Sequence, residues 1–321
     1  MHLAILALSL LGCNEYELVL FDGTDVFYQD PASDVDILLV VDNSCSMGPY
    51  QGKLSTNFEQ FISYFTDANI GYQIGVVTTD VMTVDAGVLR GQVVTPDTPN
   101  GAAIFKDLVQ VGVDGAGTEM GLESAYLALS GAKNPGFLRE EASLSVIFVS
   151  DEEDASPLPV YEYIRAFEDI KGARSRDIFN ASSLIVTDEA ACTGQGSTKG
   201  DRYIDMATET NGVIGNICAN DFADIVTELS LNASRLQDTF YLTSEPDVPT
   251  LQVSIDETAV PCEEGTWTFT HLDDKPVVIF DRSALPPPNA QIAIRYYYGS
   301  GDEMNFCTGE DSNEEDTGAA E

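Results

Sequence analysis

The chain's most pointed stretch of chemistry is VDILLVVDNSCSMG, Val35 to Gly48, in which an apolar run ends in Asp42, Ser44 and Ser46. Alternate positions in a tight loop can turn these three oxygen-bearing side chains toward one point. Three hard oxygens around one point suit Mg²⁺, Mn²⁺ or Ca²⁺. The plainer reading is capping, with Ser44 and Ser46 opening a helix that Pro49 helps to start. Cys45 lies between the serines. As a nucleophile it would need an activating base, and neither His2 nor His271 is placed to serve; a buried or paired structural thiol is the better reading. Asp151 follows the apolar run LSVIFVS and opens the acidic turn DEED. Glu152, Glu153 and Asp154 read as rim charges, and Asp80, which closes VVTTD, as a turn residue.

These residues need a frame. Strand-like runs are VDILLVV (35–41), GYQIGVVTT (71–79), GVLRGQVV (87–94), LSVIFVS (144–150), ASSLIVT (181–187) and GVIGNIC (212–218). Leu54, Phe58, Phe61, Ile62 and Phe65 recur at helical spacing between the first two. Gly121–Ser130, Val160–Lys171, Arg202–Thr210 and Phe222–Leu236 do likewise. Runs nearly continuous in Val, Ile and Leu are buried on both faces, as in a parallel sheet. Strands alternating with helices predict a doubly wound α/β domain over 34–242, mostly parallel with helices on both faces. GVLRGQVV is the expected exception, a short antiparallel edge strand. In such a sheet ligands sit outside the carboxyl ends of the strands, which is where Asp42, Ser44 and Ser46 fall.

Past TSEPDVP the pattern becomes all-β, with LQVSIDETAV, GTWTFTH, PVVIF and QIAIRYYYG alternating apolar and polar residues between turn signals. A small β module is expected over 243–307, followed by an acidic, disordered tail over 308–321. At the other end, the apolar run Leu3–Leu11 is too short to span a bilayer and fits a signal-peptide core. It leads to Leu10-Leu11-Gly12-Cys13, which resembles the bacterial lipobox, although the leader lacks Lys and Arg. That makes 1–13 a lipoprotein signal peptide, Cys13 the lipidated residue, and 14–33 a linker. By resemblance to Gram-negative lipoproteins, Asn14 after the cysteine favours the outer membrane, with the protein periplasmic or surface exposed.

The chain has 321 residues, 53 of them acidic and 15 basic, for a net charge of −38. With no basic cluster, nucleic acid is excluded as a partner, because phosphate binding needs a basic patch. The remaining cysteines are Cys45, Cys192, Cys218, Cys262 and Cys307, with no CxxC pair and only two histidines in the chain, which argues against zinc. An exported chain can form disulfides. Cys192 and Cys218 follow consecutive strands on one sheet edge and can pair, and Cys262 and Cys307 bracket the β module. Cys45 is then the odd thiol, though it can compete for either partner.

The pattern Asp42-x-Ser44-x-Ser46, followed by Met47 and Gly48, resembles the metal-ion-dependent adhesion site of von Willebrand factor type A domains. The resemblance implies a threonine from the loop before a central helix and an aspartate from the end of the fourth strand. GAGTEMGLESAYLAL supplies Thr118 and LSVIFVSDEED supplies Asp151. Ser44, Ser46 and Thr118 would coordinate through neutral hydroxyls, and Asp42 and Asp151 mostly through bound waters. The cation, Mg²⁺ first with Mn²⁺ or Ca²⁺ as alternatives, then keeps positive charge toward an open position that a partner's carboxylate completes. A bound divalent ion can locally reverse the field of so negative a chain. VFYQDPASDVDILLVVDNSCSM, GKLSTNFEQFI and YQIGVVTTD also look like a group of bacterial envelope lipoproteins with a type A domain and a β extension. The resemblance covers 34–242 well and the β module loosely.

The expectation is therefore a non-enzymatic, metal-dependent adhesion lipoprotein of the bacterial envelope. It binds a protein ligand through an acidic residue and touches the membrane only through its lipid anchor. The alternatives are an envelope scaffold with a structural metal and a metal-assisted hydrolase, which would need a general base that the sequence does not single out.

Overall fold

A computed structural model describes residues 22–29, 34–67, 69–172, 178–192, 197–272 and 274–299. Cys13 and Cys307 lie outside the described residues, as do the expected signal peptide and acidic tail. The chain divides into two compact units.

The larger unit is Gln29–Gln237 with Pro287–Asn289. Its strands are β2 (Asp34–Val41), β3 (Gly71–Thr78), β4 (Ser143–Ser150), β5 (Phe179–Ile185) and β6 (Ile214–Asn216). They form one sheet in the order β3-β2-β4-β5-β6, and every pairing is parallel. The helices are α1 (Gly48–Thr56), α2 (Phe58–Asp67), α3 (Gly101–Val109), α4 (Gly121–Leu129), α5 (Val160–Lys171), α6 (Asp201–Glu209) and α7 (Ala223–Ser234).

Pleating sends successive side chains of a strand to opposite faces, and in β2 both faces are covered. Val35, Ile37, Leu39 and Val41 pack with Leu54, Phe61, Phe65, Phe105, Val226 and Leu229 from α1, α2, α3 and α7. Leu38 and Val40 pack with Leu122, Ala125, Tyr163, Phe167, Tyr203 and Met206 from α4, α5 and α6. Two apolar layers are the reason β2 and β4 read as nearly unbroken apolar runs. The exception within β2 is Asp36, fully buried, which accepts from the Arg139 N–H and Nε, each at 2.7 Å, with Lys171 Nζ 3.6 Å away. This ion cluster sits toward the start of β2, far along the strand from Asp42.

The expected edge strand over 87–94 is not a strand. It meets β3 only in places, through an antiparallel bridge of Val94 with Ile74 and the Arg90 N–H donating to the Val76 carbonyl at 2.8 Å, because Gly87 and Gly91 take left-handed φ of 68° and 55° and break the extended backbone.

The smaller unit contains β1 (Asp22–Tyr28), β7 (Thr239–Tyr241), β8 (Gln252–Ile255), β9 (Thr258–Val260), β10 (Trp267–Leu272), β11 (Lys275–Phe280) and β12 (Gln291–Tyr297). Its two antiparallel sheets run β1-β12-β8-β9 and β10-β11-β7. One core joins them, with Val253, Ile292, Ile294 and Tyr296 from the first meeting Trp267, Phe240, Val278 and Phe280 from the second. Two sequence expectations are corrected here. Residues 22–28, read as linker, pair with β12 along their whole length, and Thr239–Tyr241, assigned to the α/β domain, pairs with β11. LQVSIDETAV is not one strand but the hairpin β8–β9, turned by Asp256 and Glu257 at positive φ.

Candidate functional site

Asp42 continues the line of β2, its N–H donating to the Val149 carbonyl at 2.9 Å, so the loop beyond it opens between β2 and β4. Here the chain order reverses, with β3 on one side of β2 and β4 on the other, the kind of crevice that takes ligands in open α/β sheets. Asp42 is fully buried and folds its own loop. Its Oδ1 accepts the Ser44 N–H at 2.6 Å and its Oδ2 accepts the Ser150 hydroxyl at 2.6 Å. Ser44 Oγ lies 3.1 Å from Ser46 Oγ, and Ser46 Oγ donates to Asp151 Oδ1 at 2.9 Å. Asp151, also fully buried, receives Ser197 Oγ on its other oxygen at 3.1 Å. Asp42, Ser44, Ser46 and Asp151 thus form one connected cluster from two strand ends, with Ser46 and Asp151 105 residues apart in the chain.

The glycine-rich loop before α4 is drawn to the same place. Gln51 Nε2, on α1, donates to the Asp42 and Gly112 carbonyls at 3.0 and 2.8 Å. Gly115 N–H donates to the Asn43 carbonyl, and a Cβ on Gly115 would stand 2.4 Å from the Asn43 side chain, which would have to move aside. Asp80 is a turn residue that also ties down this loop, accepting the Met82 N–H within its own turn and the Ala116 N–H from the glycine-rich segment. Thr118 rides on the loop with its side chain exposed, and no hydrogen bond joins it to Ser44 or Ser46 among the described residues.

Glu119, to which the motif assigns no role, is the acid that enters the cluster. It is 1% exposed, bonds through Oε2 to the Thr79 hydroxyl, and leaves Oε1 buried without a hydrogen-bond partner. Burial first, and then the Asp42 carboxylate beside it, push its carboxyl up to about 8. Asp151 and Glu152 are raised too, again by burial first, with Asp42 adding repulsion in both. Among the described residues no lysine or arginine makes an ion pair with Asp42, Glu119, Asp151 or Glu152. Carboxylates crowded without a counter-charge, next to hydroxyl oxygens, make a donor set that fits a hard divalent cation. The described residues contain no cluster of three His, Cys, Asp or Glu set as metal ligands.

Asp154 is no rim charge. It is 3% exposed and accepts the Leu122 N–H at 3.1 Å, the Ser156 hydroxyl at 2.7 Å and Arg202 Nε at 2.9 Å. Ser156 Oγ in turn accepts the Glu123 N–H at 2.9 Å. Met120, at the N-cap of α4, offers no side-chain bond, so two of the helix's free N–H groups are satisfied from the loop after β4. Ala155 N–H also donates to the Glu119 carbonyl at 2.7 Å. The loop carrying Asp151 therefore positions the loop carrying Thr118 and Glu119.

Cys192 and Cys218 form a disulfide, as the sequence suggested. Cys45 is free and exposed rather than buried or paired. Cys262 belongs to the smaller unit, but its expected partner, Cys307, lies outside the described residues.

No family model matches the chain, and no curated protein matches it. Among solved structures it is similar to proximal thread matrix protein 1 of the mussel byssus, at 16% identity and a TM-score of 0.42 over 67% of this chain and 50% of that one. Another structure of the mussel protein, with a zinc-occupied MIDAS motif, aligns at 16% identity and a TM-score of 0.37 over 64% and 47%. The open form of the pilus adhesin SpaC from Lactobacillus rhamnosus GG aligns at 12% identity and a TM-score of 0.42 over 87% and 40%. The chain spans about half the length of these proteins or less. Likenesses of this size carry no conclusion about function, which rests on the chain's own residues.

Proposed function

We propose that the larger unit is a type A adhesion module that uses a divalent cation to capture an acidic side chain of a protein partner. Ser44 and Ser46 would hold the cation through their hydroxyls, joined by Thr118 from the facing loop. Asp42 and Asp151 stand behind the serines, where their hydrogen bonds orient Ser44 and Ser46 and their charge favours the ion. The cation supplies a Lewis-acidic position for the incoming carboxylate. Mg²⁺ is the first choice for so compact a set of oxygens, with Mn²⁺ and Ca²⁺ as alternatives. The observation that carries the reading is the hydrogen-bonded line Ser44–Ser46–Asp151 at the reversal point of the sheet. The exposed Thr118 and Cys45 beside it leave that face open to a partner. The module acts by binding rather than catalysis, on a lipoprotein of the bacterial outer membrane anchored through Cys13. Among the described residues no helix is long and apolar enough to cross a membrane.

One observation favours a second reading, an envelope scaffold whose metal is chiefly structural. The buried carboxylates Asp42, Glu119 and Asp151 lack cationic partners among the described residues, so an ion would stabilise the fold with no partner present. A pull-down from envelope extract separates the two, run in Mg²⁺ and in EDTA with wild type, Asp42→Ala and Thr118→Ala. The adhesion reading expects capture only by wild type in Mg²⁺. The same partners under every condition would refute it, and chelation that lowers thermal stability without releasing a partner would select the scaffold.

A further inference from the structure

The five residues of the adhesion motif leave Glu119, a buried acid of the cluster, without a role. Glu119 follows Thr118, yet while Thr118 is exposed, Glu119 is turned inward beside Asp42 with 1% of its surface accessible. Its backbone is clamped on both sides, its carbonyl taking the Ala155 N–H at 2.7 Å and the next N–H, of Met120, donating to the Thr79 carbonyl at 3.2 Å. The Thr79 hydroxyl holds Oε2, Oε1 is buried with no donor to accept from, and the carboxyl lies within hydrogen-bonding reach of the Asp42 carboxylate. Two buried carboxyls this close are held together either by a shared proton or by a cation between them.

We propose that Glu119 is a further carboxylate of the cation site, and that its charge makes the ion a resident of this chain, held before any partner arrives. This rests on the adhesion-site reading and deepens it. With the hydroxyls alone facing the ion, affinity would depend on the partner's carboxylate. With Glu119 added to Asp42 and Asp151, the protein supplies the charge and the partner only completes the coordination.

The test uses the full chain and the metals alone, Mg²⁺ and Mn²⁺, titrated by calorimetry at physiological salt. Glu119→Gln keeps the shape and an oxygen for the Thr79 hydroxyl but removes the charge. It is expected to weaken cation binding by about 10- to 100-fold. Glu119→Asp, which keeps the charge, is expected to bind closer to wild type than Glu119→Gln does, and it carries the test if the glutamine variant fails to fold. Asp42→Ala in parallel reports on the site itself. If Asp42→Ala abolishes binding and Glu119→Gln leaves it unchanged, the Glu119 inference is overturned and the adhesion site stands. If neither changes it, the site reading has failed. Equal losses in Glu119→Gln and Glu119→Asp would show that shape, not charge, matters, and would also overturn the proposal.

Discussion

Replacing Asp154 with alanine should loosen the larger unit and its candidate cation site together. The carboxylate accepts from Leu122 N–H, Ser156 N–H, Ser156 Oγ and Arg202 Nε, at 3.1, 3.1, 2.7 and 2.9 Å. Hydrogen bonds to a charged group contribute about 1.5–3 kcal/mol each, though they do not add. Breaking a buried ion pair costs about 3–5 kcal/mol. Arg202 is 27% exposed at its side chain and keeps bonds to the Ser156 and Leu158 carbonyls, so the lower end applies. A negative charge at the start of α4 is also lost, at about 0.3–1 kcal/mol. The expected destabilisation is about 3 kcal/mol, or roughly 6–12 °C in midpoint for a unit of this size. Urea unfolding of the full chain in EDTA, following the transition of the α/β unit, reads it directly. Cation affinity should fall as well, by about 10-fold or more, because Glu119 and Thr118 are then free to drift from Asp151. A stability change under about 1 kcal/mol with an unaltered denaturant slope would refute the idea that Asp154 ties these loops together.

Asp36→Ala should cost about 3–5 kcal/mol, since Lys171, 2% exposed at its side chain, and Arg139 lose their shared counter-ion; denaturant titration checks it, and a near-neutral result would show the ion cluster to be dispensable. Reducing the Cys192–Cys218 disulfide, which spans 26 residues, should cost about 3–4 kcal/mol on the loop-closure model. Thermal melts with and without reductant measure this, and Cys192→Ser/Cys218→Ser should melt with the reduced protein and show no further response to reductant.

The legible parts of the fold are those where local pattern and tertiary burial agree. VDILLVV and LSVIFVS announce β2 and β4 because both faces of the parallel sheet are covered, so every position is apolar apart from Asp36 and the serines. Elements escape a sequence reading where burial is polar or the backbone decides. β1, DGTDVFY, turns Asp25 inward to meet Thr243 and Tyr296 within the smaller unit, so no apolar alternation marks it. GVLRGQVV has the residues of a strand, but its two glycines take conformations that a strand cannot use. The helix Gly101–Val109 carries no signal strong enough to expect it, and the stretch Leu54–Phe65, one periodic pattern, is two helices joined at Asn57.

The same division holds at the site. Asp42, Ser44, Ser46 and Asp151 are readable because strand ends and spacing are local properties. Glu119 and Asp154 are not, since a carboxylate is buried only when distant groups accept it. For Asp154 those groups are Leu122, 32 residues away, and Arg202, 48 away. For Glu119 the signal is Thr79, 40 residues earlier, together with the unpartnered Oε1.

Strand-end side chains from distant parts of the chain converge, on this account, to hold one divalent cation, and calorimetric titration of the full chain with Mg²⁺ tests that claim most directly. The measurement belongs at physiological salt, which screens loose association of ions with a surface of net charge −38. One saturable site is predicted in wild type, with its loss in Asp42→Ala and in Ser44→Ala/Ser46→Ala. Wild-type binding that survives both substitutions, or no saturable binding at all, would contradict the claim.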